Sequence, residues 1–333
     1  MNLGELSIGA VIKGDGQATN VDYHRAGTYL VMGTTNSTVY LIDSISGQLK
    51  KKLFTKSAGL GQVVYTHHEQ CVLCSSERGA DDIRYYCLFD NKYLRYFKGH
   101  TDRVRSLVMS PVDDHFLSSS LDRTVCMWSL NSSSPVAKLS LPADSECPRV
   151  AYDNTGVVFG VMAKSTSTGQ HSVKLYDARN YEKGPFVDIA PTEQAVQAAL
   201  TLAGGDMDLS QIHRALASSW VDFYFSPDGA KVLVNTNSDV LLSLDGFRPD
   251  IEPIVLLGRR NSLNMTLGVC FSPDSKYVLA GTEDKKVMVY NHLNGERIAV
   301  LNGEHMAPVT AVQCNPKYDV VASAGVNAAL WIA

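Results

Sequence analysis

The chain has 333 residues, of which 45% are hydrophobic and 19% charged, and these proportions suit a packed globular protein rather than a disordered one. Its formal net charge is −4, so the chain as a whole lacks the positive field that attracts nucleic acid or anionic lipid. Apolar runs such as residues 254–257 are far shorter than a membrane span, and residues 1–16 lack the basic and apolar regions of a signal peptide.

A short β-type run ends in an aromatic or aliphatic residue seven times along the chain. The intervals between successive closing residues are 44, 42, 48, 68, 46 and 41. All but one lie close to the period of roughly 40–45 residues that is typical of four-stranded propeller blades. The closing residues are Ile42, Tyr86, Trp128, Tyr176, Leu244, Tyr290 and Trp331. Because one blade cannot bury both of its faces, the repeats must stack around an axis. The sequence therefore predicts an all-β fold, a seven-bladed WD40 β-propeller that forms one domain over residues 1–333.

The two ends of the chain are expected to close the ring. The sequence stops at Ala333, directly after the third strand of blade seven, so that blade lacks its outer strand. Residues 8–13 precede the first blade and are free to supply it. This interlock would remove the last open sheet edge.

The seven scattered cysteines favour a reducing compartment over a disulfide framework. Cys71 and Cys74 have the spacing of a zinc-ligand pair, but no second pair completes a site. The two residues between them read as a strand, on which residues three apart point to opposite faces. We therefore expect structural cysteines and no metal site.

Blade three is the clearest repeat. It opens with Gly99-His100, and three β-type runs follow it: 104–109, 116–120 and 124–128. In this repeat type four polar side chains hydrogen-bond one another, and here they would be His100, Ser118, Asp122 and Trp128. Ser, His and Asp are also the residue types of a hydrolase triad, but no G-x-S-x-G elbow surrounds Ser118. A buried polar network that holds the turns is the better interpretation.

One interval exceeds the period by about 25 residues, and the excess lies near residues 191–217. Residues 192–203 are rich in helix formers and two glycines follow them, while residues 208–217 can form a second helix with an acidic start. Apolar residues at helical spacing are Ala195, Val196, Ala199 and Leu202 in the first segment and Leu209, Ile212 and Leu216 in the second. These patterns predict a helical hairpin packed on the ring between blades four and five; a mobile surface loop is the alternative.

Motifs for chemistry are missing from the sequence. It contains no phosphate-binding loop, dinucleotide fingerprint, metalloprotease motif or calcium loop, and its nine histidines do not cluster at metal-ligand spacing. We predict no enzyme, no catalytic residue, no cofactor and no small-molecule substrate. Basic residues near residues 84–105 are interleaved with tyrosines, but aspartates accompany them and strand alternation splits them between faces. Direct binding of nucleic acid is not expected.

Binding is the default function of a propeller, because its loops rim two broad faces. By repeat phase, the residues at the loops that lead into innermost strands are Arg103, Ser219, Trp220 and Met265. An aromatic side chain on a rim is a typical anchor for a partner, which makes Trp220 the most interesting of them. Core packing beneath the helical insert is an equally good interpretation of Trp220.

Several runs go beyond a generic WD repeat. They are residues 65–67, 82–85, 90–100 (DNKYLRYFKGH), 109–122 (MSPVDDHFLSSSLD), 183–186 (KGPF) and 314–318 (CNPKY). Together they resemble the WD-repeat subunit that is shared by the COMPASS histone methyltransferase complex and by phosphatase-containing complexes for transcription termination and RNA 3′-end processing. The resemblance spans residues 8–332 and is strongest over 62–130.

This resemblance implies a non-catalytic nuclear scaffold. In one complex such a subunit binds a segment of the SET-domain methyltransferase. In the other it binds a phosphatase regulatory subunit that is linked to 3′-end processing factors. The insert near 191–217 and a poorly matched first blade depart from the family pattern, so the choice of complex stays open. The resemblance transfers no binding residues to this chain.

A second hypothesis is a substrate receptor of a cullin-type ubiquitin ligase. Its basis is the tetrapeptide Tyr176-Asp177-Ala178-Arg179, which resembles the W-D-x-R box that such receptors present to their adaptor. The tetrapeptide is short, and its aspartate and arginine could equally cap the end of a strand. Tyr176, Asp177 and Arg179 are therefore an alternative set of partner-binding residues.

Overall fold

Seven four-stranded antiparallel sheets make up the described part of the computed structural model, which comprises residues 6–55, 59–77, 82–203 and 209–332. The strand β1 (Ser7–Ile12) precedes the first blade. From the innermost to the outermost strand, blade one contains β2 (Ala18–Tyr23), β3 (Tyr29–Thr34), β4 (Thr38–Asp43) and β5 (Leu49–Phe54). Blade two contains β6 (Leu60–Tyr65), β7 (Cys71–Ser76), β8 (Ile83–Cys87) and β9 (Lys92–Phe97). Blade three contains β10 (Val104–Met109), β11 (His115–Ser120), β12 (Thr124–Ser129) and β13 (Ala137–Ser140).

The remaining blades follow the same order. Blade four contains β14 (Ser145–Tyr152), β15 (Val158–Ser165), β16 (His171–Asp177) and β17 (Val187–Ile189), with a 3₁₀ turn at Tyr181–Lys183. The helices α1 (Glu193–Ala203) and α2 (Leu209–Leu216) come next. Blade five contains β18 (Trp220–Phe225), β19 (Lys231–Thr236), β20 (Leu241–Asp245) and β21 (Ile254–Leu256). Blade six contains β22 (Val269–Phe271), β23 (Tyr277–Gly281), β24 (Lys286–Asn291) and β25 (Arg297–Asn302). Blade seven contains β26 (Ala311–Cys314), β27 (Val320–Ala324) and β28 (Ala328–Ile332).

The predicted seven-bladed propeller is confirmed, and so is its closure. The last sheet has the order β1-β28-β27-β26, so the first strand of the chain is the outer strand of the last blade. Its register runs antiparallel from Ser7 opposite Ile332 to Ile12 opposite Ala328. Ile12 is buried in a cluster that blades one and seven share.

The core lies between neighbouring blades. All seven closing residues are buried, with Ile42, Trp128 and Tyr290 completely inaccessible. One cluster shows the principle: Leu73 and Phe97 of blade two pack with Leu107, Phe116 and Trp128 of blade three. Each blade thus buries its apolar face against the next, which is why a single repeat would not fold alone.

Polar side chains on or next to the innermost strands join neighbouring blades around the axis. They hydrogen-bond to the backbone of the next blade, where no sheet pairing is available. The bonds are Asn20 Nδ2 to Val63 O (2.7 Å), Leu107 N to Gln62 Oε1 (2.7 Å), Ser106 Oγ to Val150 O (3.0 Å), Arg149 Nε to Val221 O (2.7 Å), Asn235 Nδ2 to Leu267 O (2.8 Å) and Thr310 Oγ1 to Ala18 O (2.7 Å).

The predicted insert is a helical hairpin, which excludes the loop alternative. Ala199 and Leu200 of α1 and Ala215 of α2 are buried in a cluster with residues of blades four and five. Leu202, which the spacing grouped with Ala199, is instead 79% exposed. The buried residues of α1 are Ala199 and Leu200, so the buried face of the helix does not include position 202. Leu216 packs partly against the same cluster, whereas the side chains of Leu209 and Ile212 lie outside the described set.

Candidate functional site

The structure brings together the four polar residues predicted in blade three. His100 Nδ1 lies 3.1 Å from Asp122 Oδ2, and His100 Nε2 lies 2.7 Å from Ser118 Oγ. The indole N–H of Trp128 donates to Ser118 Oγ at 2.8 Å. Ser118 can then donate its own proton to His100 Nε2, which leaves the imidazole proton on Nδ1, facing Asp122. Ser118 is completely buried, so this trio of residue types has no open approach for a substrate.

Asp122 is the hub of this network. Its carboxylate also accepts hydrogen bonds from Thr124 Oγ1 at 2.6 Å and from the backbone N–H of Thr101 at 2.9 Å. Burial alone would raise the pKa of Asp122, but the hydrogen bonds from Thr124, Thr101 and His100 hold it below its ordinary value. The turn between the second and third strands is thereby fastened to the loop that enters the blade.

Blade seven contains a second network of the same kind. His305 Nε2 lies 2.8 Å from Ser323 Oγ, and the indole N–H of Trp331 donates to that oxygen at 2.8 Å. Asn327 stands where blade three has Asp122, and its Oδ1 accepts the N–H of Met306 at 3.0 Å. In the sequence, the pair Gly303 and His305 indicates this network. One residue separates the two, whereas Gly99 and His100 of blade three are adjacent.

Ser118→Ala should destabilise the protein by about 2 kcal/mol, because it leaves both the Trp128 indole N–H and His100 Nε2 buried without their shared partner. Denaturant unfolding followed by circular dichroism measures the loss. Ser129→Ala, at the end of β12, is the matched control and should change stability by less than about 0.5 kcal/mol. Equal effects of the two substitutions would contradict the network interpretation.

In an antiparallel blade, the loop that enters the innermost strand and the turn between the second and third strands lie on the same face. We call this side of the ring the insert face. It comprises the loops before β2, β6, β10, β14, β18, β22 and β26 and the turns after β3, β7, β11, β15, β19, β23 and β27. The α1–α2 hairpin occupies the loop before β18.

The four residues predicted to rim a face do not share one site. Arg103 forms an ion pair with Glu77 and lines the central channel. The buried side chain of Asn261 holds the backbone of Met265. Asn261 Oδ1 accepts the Met265 N–H and Asn261 Nδ2 donates to the Met265 carbonyl oxygen, both at 2.9 Å. Ser219 and Trp220 lie together, at the point where the chain leaves the insert. Their role in partner binding stays a prediction.

Trp220 lines a cavity of about 190 Å³ between β18 and the end of blade four, which we call the Trp220 cavity. The indole stacks on the His171 ring, with centroids 5.2 Å apart and planes 16° from parallel. His171 Nε2 also accepts the backbone N–H of Trp220 at 3.2 Å. Trp220 packs at the same time against the apolar cluster of blades four and five. It is therefore both a packing residue and part of a surface cavity.

Cationic side chains line the same cavity. Arg105, Arg149 and Lys164 contribute to its wall, together with one carboxylate, Glu146. Arg149 is 8% exposed, and its guanidinium donates to the carbonyl oxygens of Val221 and Arg105. Sequence reasoning missed this group, because Arg105 comes from blade three and the other members come from two different strands of blade four.

His171→Gln should flatten the dependence of stability on pH between about pH 4 and 6.5. Burial, reinforced by Lys164, lowers the pKa of His171 to about 4. The unfolded chain then binds the extra proton first, so lowering the pH through this window destabilises the folded state, by about 2 kcal/mol once solvent screening of this partly exposed ring is allowed for. Gln keeps an acceptor for the Trp220 N–H. Urea unfolding at pH 4.5 and 7 should give a smaller difference in the free energy of unfolding for His171→Gln than for wild type, and an equal difference would contradict this prediction.

A second cavity, of about 420 Å³, lies between α2 and blades five and six. Arg214 of α2 forms an ion pair there with Asp239. Arg259 lines the cavity with its chain but is only 1% exposed, and its guanidinium donates to Asn235 Oδ1 (2.9 Å), Thr236 O (2.6 Å) and Ser238 O (2.8 Å). Burial lowers the pKa of Arg259 to about 10, so it stays protonated at neutral pH.

The tetrapeptide of the ubiquitin-ligase hypothesis spans the end of the third strand of blade four and the start of the next turn, on the face opposite the insert face. Tyr176 is buried and stacks on Phe159, with centroids 5.2 Å apart. Asp177 accepts the backbone N–H of Arg179 at 2.8 Å and the side-chain amide of Asn180 at 2.9 Å. The carboxylate is thus engaged within its own turn, while Arg179 is exposed.

Within the described residues, six cysteines, including Cys71 and Cys74, are free and buried. Burial raises the pKa of the Cys71 thiol to about 11 and that of Cys74 to about 12, so both are protonated at neutral pH. No cluster of histidine, cysteine and carboxylate side chains suited to a metal ion occurs in the same part of the chain. Neither of its helices has the length and apolarity needed to cross a membrane.

Comparison with known proteins identifies the family. The model of the WD domain, G-beta repeat, matches residues 91–129 and 264–291. WD repeat-containing protein 82 of Drosophila melanogaster is 34% identical over 313 residues, which cover 94% of this chain and 89% of that protein. COMPASS component SWD2 of Saccharomyces cerevisiae is 28% identical, with coverage of 93% and 88%. Set1 complex component swd2 of Schizosaccharomyces pombe is 28% identical, with coverage of 83% and 71%. The chain therefore belongs to the family of WD-repeat propellers that includes WD repeat-containing protein 82 and the SWD2 proteins.

Proposed function

We propose that this chain is a non-catalytic scaffold subunit of a nuclear, COMPASS-type histone methyltransferase complex, in which it binds a peptide segment of the SET-domain subunit. The observation that carries the proposal is similarity along almost the whole chain to proteins named as COMPASS and Set1 complex components. The geometry fits a binding role. His100, Ser118 and Asp122 of blade three belong to a hydrogen-bond network in which His100 and Ser118 are buried. The insert face, in contrast, has two cavities beside a helical hairpin.

The same scaffold is proposed to serve transcription termination and RNA 3′-end processing, with a phosphatase regulatory subunit and processing factors as partners. The support is the sequence resemblance over residues 90–100 and 109–122. Direct contact with nucleic acid is not part of the proposal, because the net charge is −4.

Affinity purification of the tagged chain from nuclear extract at moderate salt, followed by mass spectrometry, tests the proposal. We expect to recover a SET-domain methyltransferase, or a phosphatase regulator with 3′-end factors, and the recovered set shows which assembly operates. Recovery of a cullin adaptor that Arg179→Ala abolishes would replace the scaffold proposal with the ubiquitin-ligase alternative. Recovery of none of these proteins would refute it.

A further inference from the structure

We propose that the Trp220 cavity binds an acidic segment of the partner protein, with one aromatic or branched aliphatic side chain against Trp220 and a neighbouring carboxylate beside Lys164 and Arg105. The inference rests on the proposed function, because the segment belongs to the protein that the scaffold holds. It names a location and a chemistry for that contact.

The apolar part of the cavity is preorganised. The Trp220 indole stacks on the His171 ring and packs against the apolar cluster behind it, and the backbone N–H of Trp220 donates to His171 Nε2. Ser219 is fixed as well, since its backbone N–H donates to Asn237 Oδ1 at 2.8 Å and its carbonyl oxygen accepts the backbone N–H of Asn237 at 3.0 Å. A rigid aromatic surface loses little conformational entropy on binding, which is the property of an anchor site. The volume of about 190 Å³ is below the roughly 300–1,000 Å³ of small-molecule sites and suits one large side chain.

The charge of the lining favours a carboxylate. Arg105, Arg149 and Lys164 outnumber Glu146 there. In the strand register of blade four, Lys164 lies between Glu146 on one neighbouring strand and His171 on the other. Arg149 is committed to backbone carbonyls, and both Arg149 and Arg105 also interact with the carboxyl group of Asp222, so Lys164 is the cation of this lining that stands apart from that carboxyl. An incoming carboxylate would complement this surplus.

The insert ends directly beside this cavity. The chain leaves α2 through a turn in which Ser218 N donates to Ala215 O, and Ser219 and Trp220 follow at once. The end of the hairpin therefore sets where the Trp220 side chain stands relative to Lys164. A partner segment that fits here would discriminate against the other entrances to innermost strands.

Tryptophan fluorescence of the purified full chain provides the direct test, because Trp128 and Trp331 are at most 2% exposed and Trp220 is the accessible reporter. The probe is an acetylated, amidated nine-residue peptide of glycine and serine with a central phenylalanine flanked by two glutamates. We expect a saturable change in emission whose Kd rises with salt. The matched glutamine peptide should bind at least fivefold more weakly. Lys164→Glu should weaken binding of the glutamate peptide at least tenfold, whereas Lys92→Glu, an equally charge-reversing change on blade two, should leave it unaltered.

Purification of wild type, Lys164→Glu and Lys92→Glu from nuclear extract separates the two proposals. Loss of the methyltransferase or phosphatase regulator with Lys164→Glu alone, at an unchanged thermal midpoint, supports the cavity. Equal recovery by all three chains overturns the cavity and leaves the scaffold function standing. If wild type recovers neither partner, the proposed function fails, and the titration still decides the cavity: absent or equal binding of the glutamate and glutamine peptides overturns it.

Discussion

Deletion of residues 1–13 should lower the thermal unfolding midpoint by about 10 °C, since a loss of about 5 kcal/mol shifts the midpoint of a domain this large by roughly 2–3 °C per kcal/mol. The deletion removes β1, which is the outer partner of β28 over five register positions. Each lost backbone hydrogen bond costs about 0.5–1.5 kcal/mol, and loss of the buried Ile12 side chain adds about 2 kcal/mol. The ring also regains an unpaired edge, so we expect aggregation on heating. Scanning calorimetry or circular dichroism measures the midpoint.

Two point substitutions separate closure from a general effect of truncation. Ile12 is 7% exposed and Val11, its neighbour on the same strand, is 43% exposed. Ile12→Asn should reproduce about half of the loss of the deletion, because it buries an amide in the cluster shared by blades one and seven. Val11→Asn should lower the midpoint by no more than about 2 °C. An unchanged midpoint in the deletion variant would show that the ring closes without β1.

The ring could be predicted from the sequence because its determinants are local and repeated. Each closing residue, such as Trp128 or Tyr290, lies at the end of a strand that must be buried on both faces. The interval between successive closing residues therefore equals the length of one blade. Two turns with the sequence Ser-Pro-Asp, at residues 226–229 and 272–275, depend equally on nearby residues. Gly229 ends one of them with φ of 73°, and Ser275 takes the same left-handed conformation with φ of 58° in the next blade.

Only part of the candidate site could be predicted from the sequence. Repeat phase located Ser219 and Trp220 at the entrance to an innermost strand, but it could not supply their neighbours. His171 lies 49 positions from Trp220 and reaches it only because two blades stack side by side. Lys164 joins the cavity through its register opposite His171, which depends on the length of a hairpin rather than on a motif. The sequence also gives no pattern for Arg259, because its acceptors are carbonyl oxygens that any residue can carry.

Arg259 is a buried cation whose partners are neutral. Its guanidinium donates to Asn235 Oδ1 and to the carbonyl oxygens of Thr236 and Ser238, which form the turn between the second and third strands of blade five. Burying a charge costs free energy, so replacement by an apolar residue would be favourable if the oxygens could find other donors. The turn is buried against the second cavity, and the amide of Asn261 reaches Ser238 O only at 3.5 Å.

Arg259→Met should therefore destabilise the protein by about 3 kcal/mol, since three buried acceptors lose their donor at about 1–3 kcal/mol each, partly offset by relief of the buried charge. Urea unfolding monitored by circular dichroism measures the change. Arg260→Met is the matched control, because the Arg260 side chain is 70% exposed and its partner Glu283 keeps hydrogen bonds from Ser262 Oγ and from the backbone N–H of Leu263. Its expected cost is below about 1 kcal/mol. If Arg259→Met were as stable as wild type, desolvation of the guanidinium would outweigh its three hydrogen bonds, and the turn would not depend on the cation.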